Sequence, residues 1–267
     1  MTTRDELRVR LSKGLILDLR SPRALADGLR AYISGESGRG KSSATALVIE
    51  QVLAKGSQVV VLDPHGEFGG LEDINPSAIR KLGYEGAQAT QESVEECLSI
   101  IKDGSSLLID LSHWALMPKE RDAFALAFIK GLFQLRVREP KFTILVLEEA
   151  SNFAPQSQMS NQMENVLVVV TVLTEGRKHG LGVLVTSQQP SLVDSRVIKG
   201  CNLRLLMRIS DFGDWKKLRS YVPAELGVTF ESLREFESGE AVVLSRWVPN
   251  AKVRLLQPTT LLRKAQL

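Results

Sequence analysis

Long apolar runs are missing from this chain. No stretch approaches the roughly 20 residues that a bilayer-spanning helix needs, and the N-terminus is too polar for a secretory signal. A membrane-spanning or secreted protein is thereby set aside, and the expected location is the cytoplasm. Cysteine is nearly absent. Cys97 and Cys201 stand far apart and without metal-ligand spacing. They read as two small buried hydrophobes in a reducing compartment, not as a disulfide framework. A strong charge excess is lacking too. The 34 basic and 31 acidic residues leave a net charge of +3, which permits nucleic-acid binding without demanding it. Internal repeats and low-complexity linkers are also absent.

What is present suits a soluble α/β protein. The 267 residues, 43% hydrophobic and 24% charged, suffice for one large domain or a domain with a small appendage. Residues 35–42 read Gly35-Glu36-Ser37-Gly38-Arg39-Gly40-Lys41-Ser42, a complete G-x-x-x-x-G-K-[ST] pattern. Glycines let successive backbone N–H groups curl around one phosphate. The helix that follows opens with unpaired N–H groups and a positive dipole end. Lys41 would reach the β- and γ-phosphates and the Ser42 hydroxyl would coordinate Mg²⁺, with Ser43 in the same turn. The context agrees: residues 29–34 read as a short strand, and residues 43–53 as a helix with Ala46, Ile49, Val52 and Leu53 on its apolar face.

Before this loop, alternation at Leu7, Val9 and Leu11 predicts a half-buried strand. Residues 15–19 predict a second, and Ser21-Pro22 starts a short helix. After the loop, Gly56 stops the helix and residues 58–63 (QVVVLD) form an apolar run of the kind covered on both faces in a parallel sheet. Residues 69–90 are weakly patterned. A helix is expected to Lys102, a strand at 106–111, a helix at 118–138 and a strand at 142–147. Residues 161–178 fit a helix whose valine run predicts burial. Further strands are expected at 182–187, 203–209, 239–248 and 252–256, the last two near an edge. Alternating strands and helices imply a mostly parallel α/β sheet. The expected division is a leader of residues 1–28 and a single domain over 29–267.

Residues 143–149 (TILVLEE) are apolar and end in two acids. In open α/β sheets that carboxyl edge is where ligands sit. There Glu148 would join the Mg²⁺ shell, directly or through water, and Glu149 would polarise an attacking water.

Together these residues resemble the HerA/FtsK superfamily of ring-forming P-loop ATPases, and within it the HerA-like branch. The matching pieces are residues 34–42 (SGESGRGKS), 62–68 (LDPHGEF), 147–155 (LEEASNFAP), 175–180 (EGRKHG), 186–191 (TSQQPS) and 239–243 (GEAVV), in the family's order. The resemblance implies a RecA-like P-loop core with a small C-terminal β extension. It makes Lys41 and Ser42 the Walker A pair and Glu148 and Glu149 the Walker B acids. Asp63 and Glu67 become further acids beside metal or water, Arg177 an arginine finger acting on a neighbouring subunit, and Gln188 a γ-phosphate sensor. The implied activity is Mg²⁺-dependent ATP hydrolysis coupled to movement along double-stranded DNA, in a homohexameric ring, with a nuclease or other accessory protein as a further partner. Two departures stand out. Ser151 replaces the histidine often found after Glu-Glu-Ala, and about 28 residues before the core are too few for the N-terminal β-barrel of full HerA proteins.

Plainer readings accompany several of these residues. Arg177-Lys178 at a helix end would offset its dipole, Asp63 would cap the next turn, His65 would shape its loop, and Gln188-Gln189 would be loop polarity. His113, Trp114 and Trp247 read as packing residues. The basic clusters of Lys216, Lys217 and Arg219 and of Arg204 and Arg208 are a solvated face or a pore lining that tracks phosphates. Residues 156–162 are a candidate pore loop. Two rival functions stay open: a motor for genome packaging or conjugative transfer, and an ATP-binding switch or scaffold with little turnover.

Overall fold

The computed structural model of the chain describes residues 7–74, 79–83, 88–156 and 162–259. The described residues begin with a hairpin of β1 (Arg8–Arg10) and β2 (Ile16–Asp18), the first strand as the alternation predicts, followed by α1 (Pro22–Asp27) after Ser21. Next come β3 (Arg30–Ser34), α2 (Lys41–Ala54), β4 (Gln58–Asp63) and β5 (Ile79–Leu82). Then follow α3 (Ser93–Lys102), β6 (Ser106–Asp110), α4 (Pro118–Arg138), β7 (Thr143–Leu147), α5 (Met163–Glu175) and β8 (Leu181–Ser187). The last part holds α6 (Ser195–Gly200), β9 (Leu203–Leu206), α7 (Phe212–Leu218), α8 (Phe230–Arg234), β10 (Glu240–Ser245) and β11 (Ala251–Arg254).

Among the described residues, nine strands form one sheet in the order β11-β10-β9-β3-β8-β7-β4-β6-β5. The seven from β9 to β5 run parallel, and β10 and β11 add an antiparallel edge. All six residues of β4 are buried, which requires cover on both faces. Val60 and Leu62 pack with α3, α4 and α5 on one face, whereas Val59 and Val61 pack with α2 and the β1–β2 hairpin on the other. Main-chain groups of Arg10 bond the Gln51 side chain of α2 in both directions, so the β1–β2 hairpin is fastened to the same core.

The strand order places β8 between β3, which feeds the phosphate loop, and β7, which ends in the two acids. That topology brings the ends of β3, β8 and β7 to one edge. At the other end of β4, Gln58 Nε2 donates to the carbonyls of Ile101 and Ser105, and its Oε1 accepts from Thr143 Oγ1 and Arg136 Nη2. A single amide thus ties α3, α4, β4 and β7 beneath the sheet.

Four features differ from expectation. The edge strand β5 lies in the weakly patterned stretch. The three short helices α6, α7 and α8 stand where no element was expected. The helix over 161–178 shortens to α5 plus a tight turn at Gly176–His179. Nor is α5 buried all round. Val166, Val169, Val172 and Leu173 face the core, but Leu167 is 48% exposed. The valine run therefore belongs to a surface helix with one core face.

Candidate functional site

The phosphate loop leaves β3 at the buried Ser34 and ends at α2. Two glycines are required by its shape. Gly40 has φ 98°, which disfavours any side chain. A Cβ on Gly35 would lie 2.7 Å from Met207 Cβ. Gly40 is also the N-cap of α2 and offers no side-chain acceptor, so the first N–H groups of a 14-residue helix are left for an anion. Lys41 is buried and its Nζ donates to the Glu36 carbonyl at 3.3 Å. Burial pushes its pKa below the lysine range, while Glu148, Glu149, Glu67 and Glu36 pull it back up. The Glu36 carboxylate is itself matched by Arg208 at 3.4 Å and by a hydrogen bond from Ser210 Oγ.

Glu148 and Glu149 follow β7 directly. Glu148 is 3% exposed. Burial pushes its pKa up to about 8, Asp63 and Glu67 add to the rise, and the Thr186 hydrogen bond and Lys41 oppose it. Thr186 Oγ1 donates to Glu148 Oε2 at 2.6 Å and accepts from Glu149 N at 2.9 Å. Glu149 turns through left-handed backbone, φ 54°. Its carboxylate accepts from Ser151 Oγ at 2.8 Å, Ser187 Oγ at 3.1 Å and Gln188 N at 2.9 Å.

The loop after β4 adds two more acids. Glu67 Oε2 accepts from Ser42 Oγ at 2.6 Å. Asp63 is engaged by its own loop: Oδ1 accepts from His65 N and Gly66 N, and Oδ2 from Phe68 N. Asp63 therefore shapes the turn that presents Glu67, and His65 contributes its main chain to that turn. Among the described residues, no group of three or more His, Cys, Asp or Glu is arranged to hold a metal ion alone. Mg²⁺ does not need one, since it binds through one or two protein groups together with substrate phosphates. Ser42 Oγ and the buried Glu148 beside Lys41 fit that role.

Arg177 stands elsewhere. It lies in the turn before β8, packs on Gly28 and donates to the Ala26 carbonyl. The seven residues of β8 separate it from the acidic edge by roughly 23 Å at about 3.3 Å per residue. It is not part of the site that Lys41 and Glu149 form in its own chain.

Thr186 and Ser187 were not singled out from the sequence for a role. Their signal was two hydroxyls closing an otherwise apolar strand, and their partners depend on strand order. The basic clusters are largely engaged. Arg204 donates to the carbonyls of Ile198 and Lys199 and covers the Tyr221 ring at 4.3 Å. Lys217 donates to Val193 O and Gln156 Oε1, and Lys216 sits 4.9 Å from the Phe212 ring. The rings of His113, Trp114 and Phe124 meet in tilted contacts, with Trp114 and Phe124 buried, and Trp247 Nε1 donates to Asp27. Of the candidate pore loop, residues 157–161 lie outside the described residues. No described helix is long and apolar enough to cross a membrane.

Residues 31–121 match the family described as the central domain of helicase HerA. A stretch of 66 residues, 25% of the chain, is 33% identical to the DNA double-strand break repair helicase HerA of Pyrococcus furiosus; it spans 11% of that protein. Among solved structures, the bacterial conjugative coupling protein TrwB superposes with a TM-score of 0.70 at 12% identity, over 96% of this chain and 91% of the other. VirB4 of Thermoanaerobacter pseudethanolicus gives 0.69 at 10% identity, over 96% and 97%. The genome packaging NTPase B204 of Sulfolobus turreted icosahedral virus 2, solved with AMP, gives 0.59 at 13% identity, over 86% and 98%. At these identities the structural likeness speaks for the fold. With the order of its motifs, the match over residues 31–121 and the shared fold, the chain is similar to the HerA/FtsK type of P-loop ATPases.

Proposed function

We propose that the chain hydrolyses ATP at the shared edge of β3, β8 and β7 and that a homo-oligomeric ring, a hexamer in the family's manner, uses this to move double-stranded DNA. The observation that carries the reading is the meeting of Lys41, Ser42, Glu67, Glu148 and Glu149 at one edge of the sheet, with Lys41 and Glu148 buried. The loop N–H groups and Lys41 grip the β- and γ-phosphates. Ser42, freed from Glu67, and Glu148, directly or through water, would hold Mg²⁺, which supplies charge neutralisation on the phosphates. Glu149 accepts the proton of the attacking water, and Gln188 at the end of β8 meets the γ-phosphate. Arg177, remote from its own Lys41, serves the nucleotide of a neighbouring subunit, where a guanidinium stabilises charge spreading over the transferred phosphoryl oxygens.

A second reading keeps the motor and changes its cargo to genome packaging or conjugative transfer. Coverage of 98% of the viral packaging NTPase supports it. The ATP-binding scaffold reading is weakened by the presence of Lys41, Glu149 and Arg177 together. A nuclease or other accessory partner is a further expectation from the resemblance.

Turnover measured with and without double-stranded DNA tests the motor. Strong stimulation is expected, with Glu149→Gln retaining ATP binding and losing turnover by about 100-fold or more. Tight binding with negligible turnover in either condition contradicts the motor. Mixing Arg177→Ala subunits with Lys41→Ala subunits should restore part of the activity lost by each alone. No recovery at any ratio contradicts action across an interface.

The raised pKa of Glu148 gives a third expectation. Below about 8 the free carboxyl is mostly protonated, whereas cation binding needs the anion. Mg·ATP binding at pH 7 should therefore release about one proton, and affinity should rise with pH until it levels off above 8. Calorimetry in two buffers of different ionisation enthalpy reads this directly. Identical apparent enthalpies contradict it.

A further inference from the structure

A phosphate loop holds phosphates and is blind to the base they carry. Strand order says where the base goes. The two acids follow β7, beyond β8 on one flank of β3. With the γ-phosphate on that flank, the nucleoside end leaves over the other, where β9, β10 and β11 succeed one another. β9 runs parallel to β3, β10 antiparallel to β9 and β11 antiparallel to β10. The start of β10 and the end of β11 therefore reach the same edge as the phosphate loop. A Cβ on Gly40 would lie 3.4 Å from Gly239 N and 3.6 Å from Ser238 Oγ. Gly239 N donates to the Arg39 carbonyl at 3.3 Å, and the Gly239 carbonyl accepts from Leu255 N at 2.8 Å. The phosphate loop, the turn into β10 and the segment after β11 are thus bonded together. Gly239 has φ 83°, and a Cβ there would lie 3.4 Å from Gln257 Nε2. Gln257 is held from both sides. Leu256 N donates to the Leu11 carbonyl, and Thr259 donates to Glu50 of α2 through its N and Oγ1. Among the described residues, the side chains of Arg39, Ser238 and Gln257 find no hydrogen-bond or ion-pair partner.

We propose that this wall is the base subsite and that Gln257 is the residue that selects adenine. The inference rests on the reading of residues 35–42 as the grip on a nucleoside triphosphate. An amide offers one acceptor and a donor side by side. Its oxygen accepts from the adenine N6 amino group while its nitrogen donates to N7. Guanine presents two acceptors, O6 and N7, on that edge, so the amide oxygen would face another oxygen. The bonds of Leu256 and Thr259 fix the backbone on either side of Gln257, which lowers the ordering cost of the contact. Gln257 is thus a specificity residue and takes no part in the chemistry at the γ-phosphate.

The test is calorimetry on the full chain with Mg²⁺ and the non-hydrolysable analogues AMP-PNP and GMP-PNP. The parent should bind AMP-PNP about 5- to 20-fold more tightly, the lower range for a bidentate amide–adenine pair because Gln257 is exposed. Gln257→Leu should bring the two affinities within about 2-fold of each other, mainly by weakening AMP-PNP. A folding defect lowers both affinities together, so the ratio isolates the contact to the base. Equal binding of the two analogues by the parent, or an unchanged ratio in Gln257→Leu, overturns the assignment. If the parent binds neither analogue, the phosphate-loop reading itself fails and the subsite falls with it.

Discussion

One hydroxyl orders the two acids on which this site depends. Thr186 Oγ1 donates to the side chain of Glu148 and accepts from the main chain of Glu149, so a single atom fixes one carboxyl and the backbone turn of the next. The arrangement exists because β8 lies between the phosphate-loop strand and the acidic strand. Every other part of the proposed chemistry is placed relative to that contact: Lys41 beside Glu148, Gln188 two residues beyond Thr186, and Arg177 at the far end of the same strand.

The electrostatics make the site dependent on its ligand. Four glutamates, Glu36, Glu67, Glu148 and Glu149, act on one buried lysine. The rise of Glu148 to about 8 corresponds to an opposing free energy on the order of 5 kcal/mol against its buried anion. Lys41 alone does not remove that cost, since its own pKa is lowered by burial. In the proposed chemistry a divalent cation carried with the triphosphate would supply the missing positive charge. The polar groups at this edge are bonded to one another: Ser42 with Glu67, Glu36 with Arg208 and Ser210, Glu149 with its three donors.

Much of this was legible in the sequence, for identifiable reasons. The glycine and lysine spacing of the phosphate loop is dictated by backbone geometry, the run QVVVLD fits a strand covered on both faces, and TILVLEE reads as an apolar strand that ends in two acids. What escaped depends on tertiary placement. Strand β5, IRKL, sits at the sheet edge, where charged residues are tolerated and alternation fades. Helices α6, α7 and α8 span five to seven residues, too few for a 3.6-residue period to register. The valines of α5 suggested full burial, yet the helix lies on the surface and buries one stripe. Thr186 and Ser187 acquired their roles from strand order, which local pattern does not encode, and the left-handed turn at Glu149 is imposed by its neighbours.

The most direct measurement is a crystal structure with Mg²⁺ and a non-hydrolysable ATP analogue. The account predicts the γ-phosphate between Lys41 Nζ and the acids after β7, with Ser42 Oγ turned from Glu67 to the metal. A triphosphate bound away from this edge, or seated on the loop with Glu148 and Glu149 too distant to share one metal ion with it, would contradict it.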